Sequence, residues 1–173
     1  ALPIYSMPSR TRPFLLLCLV LAILPFAANA STIFVRADGT GDRPTVQAGI
    51  DAAAPGDEVV LAPGTYSGYG NREIEFRGKA ITVRGSDPAD PAAVAATVID
   101  CNADGGQARG FRFVWSEGPD SVLAGLAIQD GKGSGVSSQP GIGAVGGGGI
   151  LCDAASPTIR NCIIRSCTGT YGG

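Results

Sequence analysis

The chain has 173 residues, of which 13 are basic, 15 are acidic, 26 are glycine and none is histidine. Without histidine, neither a Ser-His-Asp nor a Cys-His catalytic site can be built from these residues. Acidic side chains outnumber basic ones, and no basic stripe is present to release counterions from a nucleic acid, so we expect no nucleic-acid partner.

The first 30 residues have the pattern of a secretory signal peptide. Arg10 and Arg12 supply a positive n-region, residues 14–26 form an apolar run, and an A-x-A cleavage site ends at Ala30. This run is shorter than the roughly 18 to 20 residues that span a bilayer. We predict a start at Met7, cleavage after Ala30, and a secreted or cell-surface protein with no membrane span after signal removal.

Residues 31–173 contain a repeat near their end. Gly148-Gly149 recurs as Gly172-Gly173, with two short apolar strand patterns and a Ser156-Pro157 turn in between. Repeats of this length, with strands too short to bury their own faces, are typical of a solenoid whose coils stack. The pair Gly172-Gly173 opens the next repeat, so we expect the solenoid domain to be cut short there.

An internal alignment supports stacked coils. The segment from Ser121 aligns with the segment from Pro157, and apolar residues coincide in the two. The matched pairs are Leu123 with Ile159, Leu126 with Cys162, and Ile128 with Ile164. A sandwich or barrel of short antiparallel strands is the alternative, but a repeated inward pattern favours coils that bury equivalent side chains against one another.

One helix is predicted ahead of the strands. Thr45 can cap a helix over residues 46–54, which Pro55 ends, and this helix would cover the open end of the stack. No second helix pattern is evident among the strands that follow. The predicted strands are residues 32–35, 58–62, 74–76, 80–84, 97–100, 111–115, 121–129, 150–152 and 159–164.

The opening motif of the mature chain comprises residues 38–42, 45–53, 56–60 and 63–66. It resembles the capping helix and first coil of the right-handed parallel β-helix (pectin-lyase-like) group, and the later repeats resemble those of large secreted bacterial β-helix proteins. The resemblance implies an all-β fold, a right-handed parallel β-helix with a short N-terminal capping helix. It leaves function open, because this scaffold carries lyases, hydrolases, esterases, epimerases and non-catalytic adhesins.

Four cysteines lie in the mature chain: Cys101, Cys152, Cys162 and Cys167. In an exported protein four cysteines permit three pairings, and we predict one disulfide among Cys152, Cys162 and Cys167. Cys162 takes the place of Leu126 in the repeat, which favours a buried, hydrophobe-like thiol. No C-x-x-C spacing is present, so a zinc site is not expected.

Aromatic side chains are candidates for stacking on sugar rings. Tyr66 and Tyr69, near Gly68 and Gly70, are predicted to be exposed and to contact a glycan. Trp115 alternates with Phe111 and Phe113, which favours a core position over a stacking platform.

Charged side chains offer weaker signals. Glu73 and Glu75 should point away from a core of Ile74 and Phe76, as an exposed acidic pair or, alternatively, as the paired acids of glycoside cleavage. Four arginines could bind a polyanionic sugar or act as a lyase base, namely Arg77, Arg84, Arg109 and Arg112.

No cofactor is predicted, with calcium as the alternative. Aspartates stand near predicted turns, at Asp38, Asp42, Asp104, Asp130 and Asp153. Aspartates that bond their own backbone explain this placement better than oxygen ligands for calcium do.

Two functional hypotheses follow. The first is a secreted or cell-surface β-helix repeat protein that contacts polysaccharide or a cell-surface glycan as a non-catalytic or adhesion scaffold. The second is a polysaccharide-active enzyme (a lyase, hydrolase or pectin-esterase-like protein) whose catalytic residues lie beyond Gly173. We favour the first, because no catalytic constellation is identifiable in the chain.

Overall fold

The computed structural model describes residues 30–102, 106–133 and 146–169. The predicted export signal, apart from Ala30, and Asp104 therefore lie outside the described residues. In the described ranges, no helix is long and apolar enough to cross a membrane.

The described chain is built mainly of short strands in three parallel sheets, as expected for an all-β protein. Sheet A contains β1 (Thr32–Val35), β2 (Glu58–Leu61), β5 (Thr82–Gly85), β8 (Val122–Ala124) and β11 (Thr158–Arg160). Sheet B contains β3 (Gly64–Tyr66), β6 (Thr97–Asp100), β9 (Ala127–Gln129) and β12 (Ile163–Arg165). Sheet C contains β4 (Ile74–Glu75), β7 (Phe111–Phe113) and β10 (Ile150–Cys152).

From β2 onward the chain visits sheets A, B and C in that order and then returns to A. The segments 121–129 and 159–164, each predicted as a single strand, are each divided into a strand of sheet A and a strand of sheet B. The chain turns between the two strands at Gly125 and at Asn161, which adopt left-handed backbone conformations with φ of 67° and 53°. The segment Gly64–Tyr66, which is not among the predicted strands, forms β3.

The core consists of columns of apolar side chains that run from strand to strand. Register places Val59 beside Val83, Val83 beside Leu123, and Leu123 beside Ile159. In sheet B, Ile128 pairs with Ile164. The repeat alignment of Leu123 with Ile159 and of Ile128 with Ile164 is therefore confirmed. Each fully buried side chain of this size contributes about 1.5 to 3 kcal/mol through removal from water.

The predicted first helix is present as α1 (Val46–Ala52), two residues shorter than expected. Thr45 caps it, with its side-chain oxygen accepting a hydrogen bond from Ala48 N at 3.2 Å. Gly49 is buried in the contact with sheet A. A Cβ at this position would lie 2.9 Å from a methyl of Val59 and 3.0 Å from one of Val35, so the close packing of helix on sheet requires glycine.

The expectation of a single helix is wrong, because residues Pro91–Ala96 form a second helix, α2. Asp90 caps it by accepting a hydrogen bond from Ala92 N, and Pro91 occupies the first turn, where its missing N–H costs nothing. The alanine-rich sequence that follows has high helix propensity. This helix packs on β6 and β9 and buries Val94.

The two ends of the sheets differ. At the β1 end, α1 covers the core, and the Asp42 carboxylate accepts a hydrogen bond from Phe34 N on the strand edge. At the other end, Ile159 and Ile164 remain 39% and 48% exposed, although their column neighbours, Leu123 and Ile128 respectively, are fully buried. Among the described strands, none pairs with the outer edges of β10, β11 and β12, so this end presents unpaired strand edges and apolar side chains.

Candidate functional site

A cavity of about 460 Å³ lies between α1 and the outer face of sheet C. Its lining is rich in charged groups and includes one aromatic ring. The charged and aromatic residues of the lining are Asp51, Tyr69, Arg72, Glu73, Glu75 and Arg77. Sequence reasoning missed Asp51 and Arg72. Asp51 stands one helical turn after Gln47 on the polar face of α1, and that spacing was the available signal.

The Gln47 side chain fixes α1 to sheet C by forming the two backbone hydrogen bonds at Glu75 that a neighbouring strand would otherwise form. The Gln47 amide donates from Nε2 to the Glu75 carbonyl oxygen at 3.1 Å, and its Oε1 accepts from Glu75 N at 2.9 Å. Gln47 Nε2 also donates to Asp51 Oδ1 at 2.9 Å. These bonds satisfy the backbone of β4 on its outer edge and hold α1 against the strand beside the cavity.

The two charged residues that flank β4, Glu73 and Arg77, lie at turns of the backbone and line the cavity. Glu73 and Arg77 both have left-handed conformations, with φ of 51° and 55°. Because φ in this region is costly for a residue with a Cβ, neighbouring contacts must hold the chain there. One such contact is the 2.6 Å hydrogen bond that Arg109 N donates to Glu73 Oε1.

The two glutamates are paired with arginines instead of facing solvent alone. Arg112 lies between them, with Nη1 at 2.8 Å from Glu75 Oε1 and Nε at 3.5 Å from Glu73 Oε2. The Arg109 guanidinium reaches Glu73 at 3.8 Å, and Arg77 pairs with Asp51 at 3.0 Å. The predicted placement of Ile74 and Phe76 in the core is confirmed, since both are fully buried.

Three of the four arginines singled out from the sequence, Arg77, Arg109 and Arg112, are brought to this region. The fourth, Arg84, lies on sheet A, where it forms an ion pair of 2.9 Å with Glu58. It is therefore separate from the cavity.

The expectation that Trp115 is a core residue is wrong, because its side chain is 58% exposed. β7 ends at Phe113, and Ser116 adopts a left-handed φ of 60°, so the alternation does not continue to the tryptophan. The buried Glu117 carboxylate holds this turn by accepting hydrogen bonds from Trp115 N at 2.9 Å and Gly78 N at 3.1 Å. The indole Nε1 donates to Glu75 Oε2 at 3.1 Å, which places the ring beside the cavity.

The two tyrosines predicted to contact a glycan have opposite environments. Tyr69 is 99% exposed at the cavity mouth. Tyr66 lies in the core at 1% exposure, so the prediction that it contacts a glycan is wrong. Its ring continues the column of Ile99 in sheet B, and its single O–H is shared between the carbonyl oxygens of Val35 and Ala62. Burial raises the pKa of Tyr66 to about 12.

The four cysteines of the described residues, Cys101, Cys152, Cys162 and Cys167, are free thiols in the structure. Cys101 is fully buried, and burial raises its pKa to about 12. Cys162 and Cys167 are half-buried at the end of the sheets that exposes Ile164, and Cys152 is exposed there. Burial also raises the pKa of each of these three thiols. The disulfide among Cys152, Cys162 and Cys167 stays a prediction.

The aspartates considered for calcium bond to the backbone where their contacts are described. Asp38 Oδ1 accepts from Thr40 N at 3.0 Å and from Thr40 Oγ1 at 2.7 Å, and these bonds lower the pKa of Asp38. No group of three or more potential metal ligands occurs within residues 30–102, 106–133 and 146–169.

Comparison with known proteins yields no match: no family model fits the chain, and no curated protein or solved structure matches it. The geometry of the cavity and its surroundings is therefore the basis for assigning a function.

Proposed function

We propose that this chain is an exported protein with a right-handed parallel β-helix fold that contacts glycans on the outer face of sheet C. In this proposal the protein is a non-catalytic scaffold of the secreted or cell-surface kind. The export part rests on the signal pattern of residues 1–30, and the glycan part rests on the cavity beside α1.

The β-helix part is supported by the order in which the chain visits the sheets. Successive strands pass from sheet A to B to C, and each strand from β5 to β12 pairs in parallel with the strand three places before it in the chain. Crossovers between parallel strands of one sheet are right-handed in nearly all proteins, which favours a right-handed path. The in-register columns of apolar side chains are what such a stack requires.

The observation that carries the glycan proposal is the exposed Trp115 ring, held by Glu75 at the edge of a cavity whose mouth carries Tyr69. A large exposed aromatic ring loses contact with water only if another apolar face covers it, and the C–H face of a sugar ring has a suitable shape. Carboxylates and guanidinium groups nearby supply directional hydrogen bonds for hydroxyl groups.

The glycan proposal is tested by screening the full chain on an array of plant, bacterial and animal polysaccharides. Binding to a glycan should be lost or reduced at least tenfold in Trp115→Ala and Tyr69→Ala. Phe34→Ala is the matched control, because Phe34 is 53% exposed but lies on sheet A. Failure of the full chain to bind any glycan, or an equal loss in the Phe34 variant, would refute the proposed function.

A further inference from the structure

We propose that the ligand of the sheet C cavity is a neutral, hydroxyl-rich glycan and not a polyanionic one. This inference rests on the proposed function and specifies the class of glycan. It follows from how the charges around the cavity are already paired within the protein.

Two guanidinium groups at this face, those of Arg77 and Arg112, lie against carboxylates. Arg77 Nη1 lies 3.0 Å from Asp51 Oδ1. Arg112 bridges Glu73 and Glu75 at 3.5 Å and 2.8 Å. An anionic sugar approaching either arginine would meet a carboxylate at the same place, and like charges brought together in an interface are strongly unfavourable.

The two other arginines near this face are also directed at protein partners. The Arg109 side chain is only 11% exposed; it lies 3.8 Å from Glu73 Oε1 and donates from Nε to Gly147 O at 3.2 Å. Arg72 Nη1 donates to the carbonyl oxygens of Cys101 and Asn102, at 3.1 Å each. A polyuronate carries a charge on each sugar unit and needs at least one cation aimed at solvent and not already bonded within the protein, which this arrangement does not supply.

A neutral glycan needs different groups, and the cavity has them. An ionised carboxylate has about four lone-pair positions, so Glu73, Glu75 and Asp51 can accept hydroxyl protons in addition to their present bonds. The Trp115 ring, held by Glu75, and the exposed Tyr69 ring, which lines the cavity, supply apolar faces. Every neutral polysaccharide offers hydroxyl groups that can donate to these carboxylates and sugar rings that can stack on these aromatic side chains. Neither contact requires the glycan to carry a charge.

The experiment titrates the full chain by calorimetry with neutral probes (hydroxyethyl cellulose, dextran and galactomannan) and with polygalacturonate as the acidic probe. Each titration is run at about 20 mM and about 300 mM NaCl, between which screening of exposed charges changes several-fold. We expect binding to at least one neutral probe, with a Kd that changes less than about twofold between the two salts. We also expect no binding of polygalacturonate.

A second variant makes the pairing argument testable. Asp51→Asn removes the partner of Arg77 and should create measurable, salt-sensitive binding of polygalacturonate, while Asp87→Asn, which is not among the cavity residues, should not. Salt-sensitive binding of polygalacturonate alone by the unmodified chain would overturn this inference and leave the proposed glycan function standing. Binding of neither class of probe, on these polymers or on the array, would overturn both.

Discussion

Trp115 and Glu75 lie 40 positions apart in the chain, and the indole Nε1 of Trp115 donates a hydrogen bond of 3.1 Å to Glu75 Oε2. The other carboxylate oxygen of Glu75 faces Arg112 at 2.8 Å. One side chain on β4 therefore orients both an exposed aromatic ring and a guanidinium group, which makes Glu75 the residue on which the shape of the candidate site depends most.

Replacing Glu75 should release the tryptophan. Because Trp115 is the only tryptophan in the chain, its fluorescence reports this change without interference. We expect Glu75→Ala to increase acrylamide quenching of the emission and to lower its anisotropy. Glu75→Gln keeps a side-chain oxygen for the indole N–H and should stay close to the unmodified protein. Equal quenching in all three proteins would show that the hydrogen bond does not hold the ring.

Lys79 should be important for the attachment of α1. Its Nζ donates to the carbonyl oxygens of Ile50, Asp51 and Ala53, at 2.8, 2.9 and 2.8 Å, at the C-terminal end of the helix. Lys79→Met removes the charge and all three hydrogen bonds, and we expect it to lower the free energy of unfolding by about 2 kcal/mol. Urea unfolding measures this. The exposed Lys132 provides the control, and Lys132→Met should change stability by less than about 0.5 kcal/mol.

Gly125 combines two requirements for glycine. Its φ is +67°, and a Cβ added there would lie 2.5 Å from Pro88 Cα, on the loop that leads into α2. Gly125→Ala should therefore destabilise the protein by roughly 2 to 3 kcal/mol through strain and a clash with backbone. A Cβ on Gly118 would meet no atom within 4 Å, so Gly118→Ala should be nearly neutral. A neutral Gly125→Ala variant in thermal unfolding would contradict the described path of this loop.

Tyr66 should make stability depend on alkaline pH. Burial raises its pKa from 10.0 to about 12, so the folded state holds the phenolic proton where the unfolded state releases it. The stabilisation is complete below pH 10 and is lost as the pH rises from 10 to 12. Tyr66→Phe should lose about 1 kcal/mol at neutral pH, because the carbonyl oxygens of Val35 and Ala62 lose the O–H that they share.

The same variant should show a flatter loss of stability between pH 10 and 12 than the unmodified protein. Cys101, whose pKa is also raised to about 12, contributes equally to both proteins and cancels in the comparison. Parallel curves for the two proteins in urea unfolding at pH 9, 10, 11 and about 12 would mean that the Tyr66 hydroxyl is not held as described.

Repetition made the columns of the core predictable. Leu123 and Ile159 were paired from sequence because both occupy the same position in the repeat, and their register is as expected. Thr45 was found as a helix cap because capping depends on local residues alone. The helix at Pro91 was missed although Asp90 and Pro91 are ordinary start signals, because alanines carry no apolar periodicity.

The candidate site was harder to predict than the core. The orientation of Trp115 depends on a turn that is fixed by Glu117. The burial of Tyr66 depends on its pairing with Ile99, and the glycines on either side of Tyr66 favour turns, so β3 was not predicted from the sequence. The cavity itself is formed where α1 meets sheet C, and the ion pair of Asp51 with Arg77 joins residues that no local pattern connects. Such contacts follow from tertiary packing, so they appear only once the sheets are placed.

The central claim is that a glycan covers the exposed face of Trp115. The most direct measurement is the emission spectrum of this single tryptophan during titration with a glycan that calorimetry has shown to bind. We predict a saturable blue shift and protection from acrylamide quenching, with the midpoint at the calorimetric Kd. Saturated binding that leaves the emission and the quenching unchanged would place the ligand elsewhere on the molecule and contradict the account.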